Sequence, residues 1–136
     1  MRDFQNKTYW IVGASEGLGR ALALQLAGIG AQVIISARNE ERLVELAEEI
    51  GSNSLILPMD VSDASSVRKA FSKLPKILDG FVFLSGVYWH INASSWDREK
   101  AEEMVDINLV GAMRCLGHLV PKFTRQGFGH IVLTGS

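Results

Sequence analysis

Apolar residues fall along this chain in two alternating patterns. Short, nearly unbroken runs at 9–12, 32–37, 54–57, 80–84 and 130–133 predict buried strands. Between them, apolar positions recur three and four residues apart, as helices require: Leu18, Ala21, Leu22, Leu26 and Ile29, then Leu43, Leu46, Ala47 and Ile50, then Val67, Ala70, Phe71 and Leu74. The punctuation agrees with this reading. Gly28, Gly30, Gly51 and Gly127 stand at helix ends, Pro58 closes the third strand, and Pro75 breaks the third helix. Asn39 is placed to cap the second helix, and Ser62 or Asp63 the third. The acidic run around Glu40, Glu41, Glu45, Glu48 and Glu49 reads as a solvated face. From about 94 to 126 the pattern is helical but apolar on more than one face, which predicts burial on both sides.

Strand and helix alternate throughout, so the expected fold is α/β: a doubly wound parallel sheet, Rossmann-like, with strand order 3-2-1-4-5. No repeat, linker or low-complexity tract interrupts residues 1–136, which read as one domain. Ligands in such sheets sit beyond the carboxyl ends of the strands, near the switch between strands 1 and 4. Gly13, Arg38, Asp60, Ser85 and Ser136 lie at or just past those ends.

Composition narrows the partners. At 47% apolar and 21% charged, the chain resembles an ordinary globular protein, and its formal charge of −1, without basic runs, argues against nucleic acid. Cys115 is the only cysteine. It excludes an internal disulfide, fits a reducing cytoplasmic setting, and with His90, His118 and His130 gives no credible metal site. The N-terminal residues carry no signal-like apolar core. Gln25, Gly28, Gly30 and Gln32 divide the uncharged stretch 21–37, so no membrane span is expected.

The stretch Gly13-Ala14-Ser15-Glu16-Gly17-Leu18-Gly19 joins the first strand to the first helix. Its glycines permit a tight turn, and they also let backbone N–H groups and a helix N-terminus approach a phosphate; spacing alone leaves both open. The arrangement Gly-x-x-x-Gly-x-Gly resembles the cofactor turn of the short-chain dehydrogenase/reductase family. That resemblance implies a nicotinamide dinucleotide held by Gly13, Ser15, Glu16, Gly17, Leu18 and Gly19. Ala37 stands where the family usually has an aspartate, and the adjacent guanidinium of Arg38 suits a 2′-phosphate, so NADP is expected in preference to NAD. Glu16 opposes this, because NADP-preferring relatives often carry a basic residue there. Asp60-Val61 resembles the family pair that binds the adenine edge, and Ser85-Gly86 matches the end of its Asn-Asn-Ala-Gly motif. Leu84 and Val12 replace polar family residues, which predicts an apolar contact between them. Periodicity makes Asn108 a satisfied buried amide. The resemblance instead makes Asn108 the holder of a water in a proton relay, and Ser136 the serine that bonds a substrate carbonyl.

The resembled mechanism also uses a tyrosine and a lysine in Tyr-x-x-x-Lys. Tyr9 and Tyr88 are followed four residues later by Gly13 and Asn92, not lysine, so that pair is absent here. The chain is therefore expected to be the cofactor-binding portion, truncated after strand 5, of an oxidoreductase acting on a carbonyl or alcohol, and inactive alone. The competing expectation is a non-catalytic dinucleotide-binding or self-associating module. An open fifth strand and the apolar long helix both predict a homodimer.

Overall fold

The computed structural model describes residues 3–135. The strands are β1 (Thr8–Val12), β2 (Gln32–Ser36), β3 (Ser54–Ile56), β4 (Gly80–Phe83) and β5 (His130–Leu133). They form one parallel sheet in the order β3-β2-β1-β4-β5, with Val12 in register with Ser36 on one side and Phe83 on the other. The helices are α1 (Gly17–Gly28), α2 (Glu40–Ile50), α3 (Ala64–Ser72), α4 (Arg98–Val105) and α5 (Gly111–Gln126). A π-helical segment, Asp106–Val110, joins α4 to α5 without a break.

Alternation along β1 sends its side chains into two separate cores. Trp10 and Val12 pack with Ile34, Phe81 and Phe83 beneath α3 and α5. Tyr9 and Ile11 pack with Val33, Ile35 and Val82 beneath α1 and α2. Burying each of these large side chains contributes roughly 1.5–3 kcal/mol. The one buried polar side chain among the described residues, Ser36, accepts a bond from Trp10 Nε1 at 2.7 Å and donates to the Leu57 carbonyl. The indole is thereby satisfied inside the first core.

Three packing expectations are corrected. In α1 the buried face is Gly19, Ala23 and Leu26, whereas Leu18, Ala21 and Ile29 are exposed. The helix rotates this way because Gly19 abuts the backbone of Gly13. The long helix is not covered on both sides: Cys115, Leu119 and Phe123 face the core, but Val105, Leu109, Met113 and Val120 are exposed. Val12 and Leu84 make no apolar contact in a shared core; they pack on opposite faces of the sheet and meet through the bond from Leu84 N–H to the Val12 carbonyl, 2.7 Å. Among the described residues, no helix is long and apolar enough to cross a membrane.

Candidate dinucleotide cleft

The carboxyl ends of β1, β2 and β4 converge on the glycine turn. Gly13 N–H donates to the Ser36 carbonyl at 2.8 Å, tying β1 to β2 just past their ends. Gly13 has φ +91°, and a Cβ there would stand 2.6 Å from Ser85 N, so only glycine lets β4 pass this close. At Gly19 a Cβ would meet the Gly13 carbonyl carbon at 2.8 Å, which fixes α1 against the strand end. Two of the three glycines are therefore required by packing. Gly17 differs, with φ +55° and open space around it.

The start of α1 also differs from the other free helix starts. Asn39, Asp63 and Asp97 each cap a helix by accepting a backbone N–H bond. The Ser65 hydroxyl and then the Ser65 N–H hold the Asp63 carboxyl below the usual carboxylate range, and the Lys100 N–H does the same for Asp97. At the N-cap of α1, Glu16 is extended and makes no such bond. The first N–H groups of α1 thus lack a side-chain acceptor, next to a cleft of about 470 Å³ lined by Gly13, Ser15, Glu16, Leu18 and Gly19. Gly17 lies outside that lining.

At the β2 end, Ala37, Arg38, Asn39 and Arg42 continue the wall. Arg38 is exposed and makes no ion pair among the described residues, whereas Arg42 pairs with Glu16 across the rim. Beyond β3, Met59, Asp60 and Val61 close the far side. Asp60 Oδ1 accepts from Ser62 N–H at 2.9 Å and from its hydroxyl at 2.7 Å, while Asp63 caps α3. Arg114 on α5 donates to the Val61 carbonyl at 3.0 Å and to Asp106 at 2.6 Å, and Asp106 raises its pKa. Gly111 leans on the same loop, where a Cβ would approach Val61 Cγ2 to 2.9 Å.

Leu84, Ser85, Gly86 and Val87 line the cleft from β4, together with Ile107 and Thr134. Asn108 is exposed rather than buried, which corrects the expectation from periodicity. Within the π segment its amide accepts from Val87 N–H and donates to the Val87 carbonyl, both at 2.8 Å, and its Oδ1 would lie 3.3 Å from a Cβ on Gly86. One amide hydrogen remains beyond that pair. Asn108 does not itself line the cleft but fixes the loop that does. Ser136 lies outside the described residues. Tyr9 is buried, with its hydroxyl 3.0 Å from His130 Nδ1, and sits toward the opposite end of β1 from the cleft; Tyr88 is exposed. Cys115 is a buried thiol whose pKa burial pushes up to about 12, so it is not a nucleophile near neutral pH.

Sequence reasoning missed Asn39, Arg42, Met59, Val87, Ile107 and Thr134 as lining residues. Arg42 was legible from its place in the first turn after strand 2, but the surrounding glutamates gave that turn the look of a solvated face. The π segment reads as ordinary helix in the sequence pattern, which gives no sign of its shifted phase.

The chain matches the family model for short chain dehydrogenase over residues 7–136. It is 32% identical to an uncharacterised oxidoreductase of Listeria monocytogenes, over 97% of this chain and 56% of the relative. It is 34% identical to the NADPH-dependent pterin aldehyde reductase of Arabidopsis thaliana, over 93% of this chain and 54% of that protein. The solved closed form of serine dehydrogenase complexed with NADP+ superposes with a TM-score of 0.90 at 28% identity, covering 95% of this chain and 54% of that one. The chain spans about half the length of the curated relatives it matches.

Proposed function

The chain belongs to the short-chain dehydrogenase family, and from that premise we propose that it forms the dinucleotide-binding part of an oxidoreductase acting on a small carbonyl or alcohol, with NADP(H) preferred over NAD(H). The observation that carries this reading is the uncapped start of α1 beside a cleft that also holds Arg38, with no acid at Ala37. The residues present fit such a ligand. Gly17, Leu18 and Gly19 offer backbone N–H groups to a pyrophosphate. Asp60 keeps Oδ2 for the adenine edge, Arg38 suits a ribose phosphate, and Gly86 leaves room beside Asn108. When bound, the nicotinamide supplies or accepts the hydride. Asn108 holds Val87 in place, and its remaining amide hydrogen is available to a water.

Titration of the folded chain with both reduced nucleotides tests this. NADPH is expected to bind more tightly than NADH, since each charge-assisted contact to a phosphate contributes about 1.5–3 kcal/mol before screening. Arg38→Gln should remove most of the difference. Equal affinities in the unaltered chain would end the NADP reading, and no binding of either nucleotide would end the dinucleotide reading. Neither tyrosine can serve as the proton donor, because Tyr9 is buried away from the cleft and neither has a lysine four residues on. General acid/base assistance is typically worth about 10²–10⁴-fold in rate, so this chain by itself should not oxidise NADPH with simple carbonyls.

A second reading, self-association, is favoured by the outward apolar row Val105, Leu109, Met113 and Val120. We propose a homodimer through that row. Light scattering at micromolar concentration should give twice the mass of one chain, and a monodisperse monomer would contradict it.

A further inference from the structure

Arg38 is the cation that the sequence offers to a ribose phosphate, but the cleft carries a second. Arg42 projects from the first turn of α2, where Asn39 Oδ1 accepts its N–H at 3.1 Å and so fixes the backbone that bears it. Its guanidinium reaches across the rim to Glu16 of the glycine turn. Arg38, Asn39, Arg42 and Glu16 line the same end of one cleft, whereas Glu40 and Glu41, the other charges of that turn, do not line it.

We propose that Arg42 is a second cation for the phosphate on the adenosine ribose, and that Glu16 competes with that phosphate for it. The pair then sets how sharply the chain discriminates phosphorylated from unphosphorylated dinucleotide. This rests on the dinucleotide reading given above. The Glu16 and Arg42 side chains are 74% and 50% exposed, so their ion pair is of the weak, solvent-screened kind that opens readily. A phosphate monoester brings more negative charge and three acceptor oxygens against the carboxylate's two, and a planar guanidinium can bind it through two parallel bonds. Glu16 is the cost of the arrangement, since it must give up its partner and remain near the incoming charge. Its presence explains how an acid can stand in the glycine turn of a site built for an anion: before the ligand arrives, Arg42 neutralises it.

The test uses the 136-residue chain with adenosine 2′,5′-bisphosphate and AMP as probes, so that the ratio of their dissociation constants isolates the ribose phosphate. Five proteins are compared: unaltered, Arg42→Gln, Arg42→Lys, Glu16→Gln and the Arg42→Gln/Glu16→Gln double variant, each checked for unchanged circular dichroism. Arg42→Gln should lower the preference for the bisphosphate about tenfold, equivalent to one charge-assisted contact. Glu16→Gln should raise it by about two- to fivefold, the range of an exposed ion pair. The decisive comparison is the double variant. Loss of Arg42 must still lower the preference when Glu16 is already gone, and Arg42→Lys should recover part of it. If the effect of Arg42→Gln vanishes in the Glu16→Gln background, Arg42 only neutralises Glu16 and the proposal is wrong. It is equally wrong if both probes weaken together. Failure of the unaltered chain to bind either probe would remove the dinucleotide reading itself, and this inference with it.

Discussion

Helix α2 turns Glu40, Glu41, Glu45, Glu48 and Glu49 to solvent and buries Leu43 and Leu46. The long helix on the other half of the sheet buries Cys115, Leu119 and Phe123 but turns Val105, Leu109, Met113 and Val120 outward. The sheet edges differ in the same sense. At β3 only Leu55 is an exposed large apolar residue, and the side chains of Gln32 and Asn53 bond to each other beside that edge at 3.0 Å. At β5, Ile131 and Leu133 are both exposed, with Phe128 just before them. One half has a surface matched to water, and the other has a surface matched to more protein. Most of the cleft belongs to the first half and the end of β4, so the proposed nucleotide site and the apolar surface can be altered separately.

The sharpest way to break that comparison is to change each face of the long helix. Leu119→Ala removes a fully buried side chain and should cost about 2–5 kcal/mol in urea unfolding. Met113→Lys, on the outward face, should stay within about 0.5 kcal/mol while shifting any dimer toward monomer in light scattering. Similar losses at both positions would mean that the outward face is already covered.

Ser36→Ala examines the polar link inside the first core. It leaves Trp10 Nε1 without its acceptor and should cost about 1–3 kcal/mol, read as a lower unfolding midpoint with unchanged slope. Gly17→Ala comes next, at about 1 kcal/mol, because the strain there is conformational and no neighbour is displaced. That modest cost separates Gly17 from Gly13, where the backbone of β4 blocks any side chain.

The smallest effect at neutral pH belongs to Cys115. Its folded pKa is raised to about 12 by burial, so the folded state retains a proton that the unfolded state loses near pH 9. The contribution to stability is complete below pH 9 and is lost as pH rises from 9 toward 12. A thiol reagent at pH 8 should leave the folded chain unlabelled and react at once in denaturant. Rapid labelling under native conditions would show that the core beneath α5 opens readily.

The sheet was legible because unbroken apolar runs bounded by glycine and proline have few other readings, and their alternation with helical periods leaves little freedom in strand order. Helix faces were less so. Leu18 and Ala21 fit an apolar stripe in α1, but the demand that Gly19 touch Gly13 outweighs hydrophobicity in choosing the buried face. For the long helix, periodicity counts apolar positions without saying whether this chain supplies their partners. Asn108 was misplaced for a related reason: the π segment shifts the angular phase of the helix, so its outward position could not be extrapolated from Ala112 and Leu116. Arg42 was hidden by its acidic neighbours, since only the fold reveals that Glu16 lies across from it.

The most direct measurement is an amide-resolved NMR titration of the folded chain with NADPH. The expected result is that the N–H resonances of Gly17, Leu18 and Gly19 shift furthest, followed by those of Arg38 and Ser85, while those of Gly117 and Phe128 stay in place. An unperturbed spectrum at millimolar nucleotide, or shifts confined to the outward face of the long helix, would contradict dinucleotide binding at the start of α1.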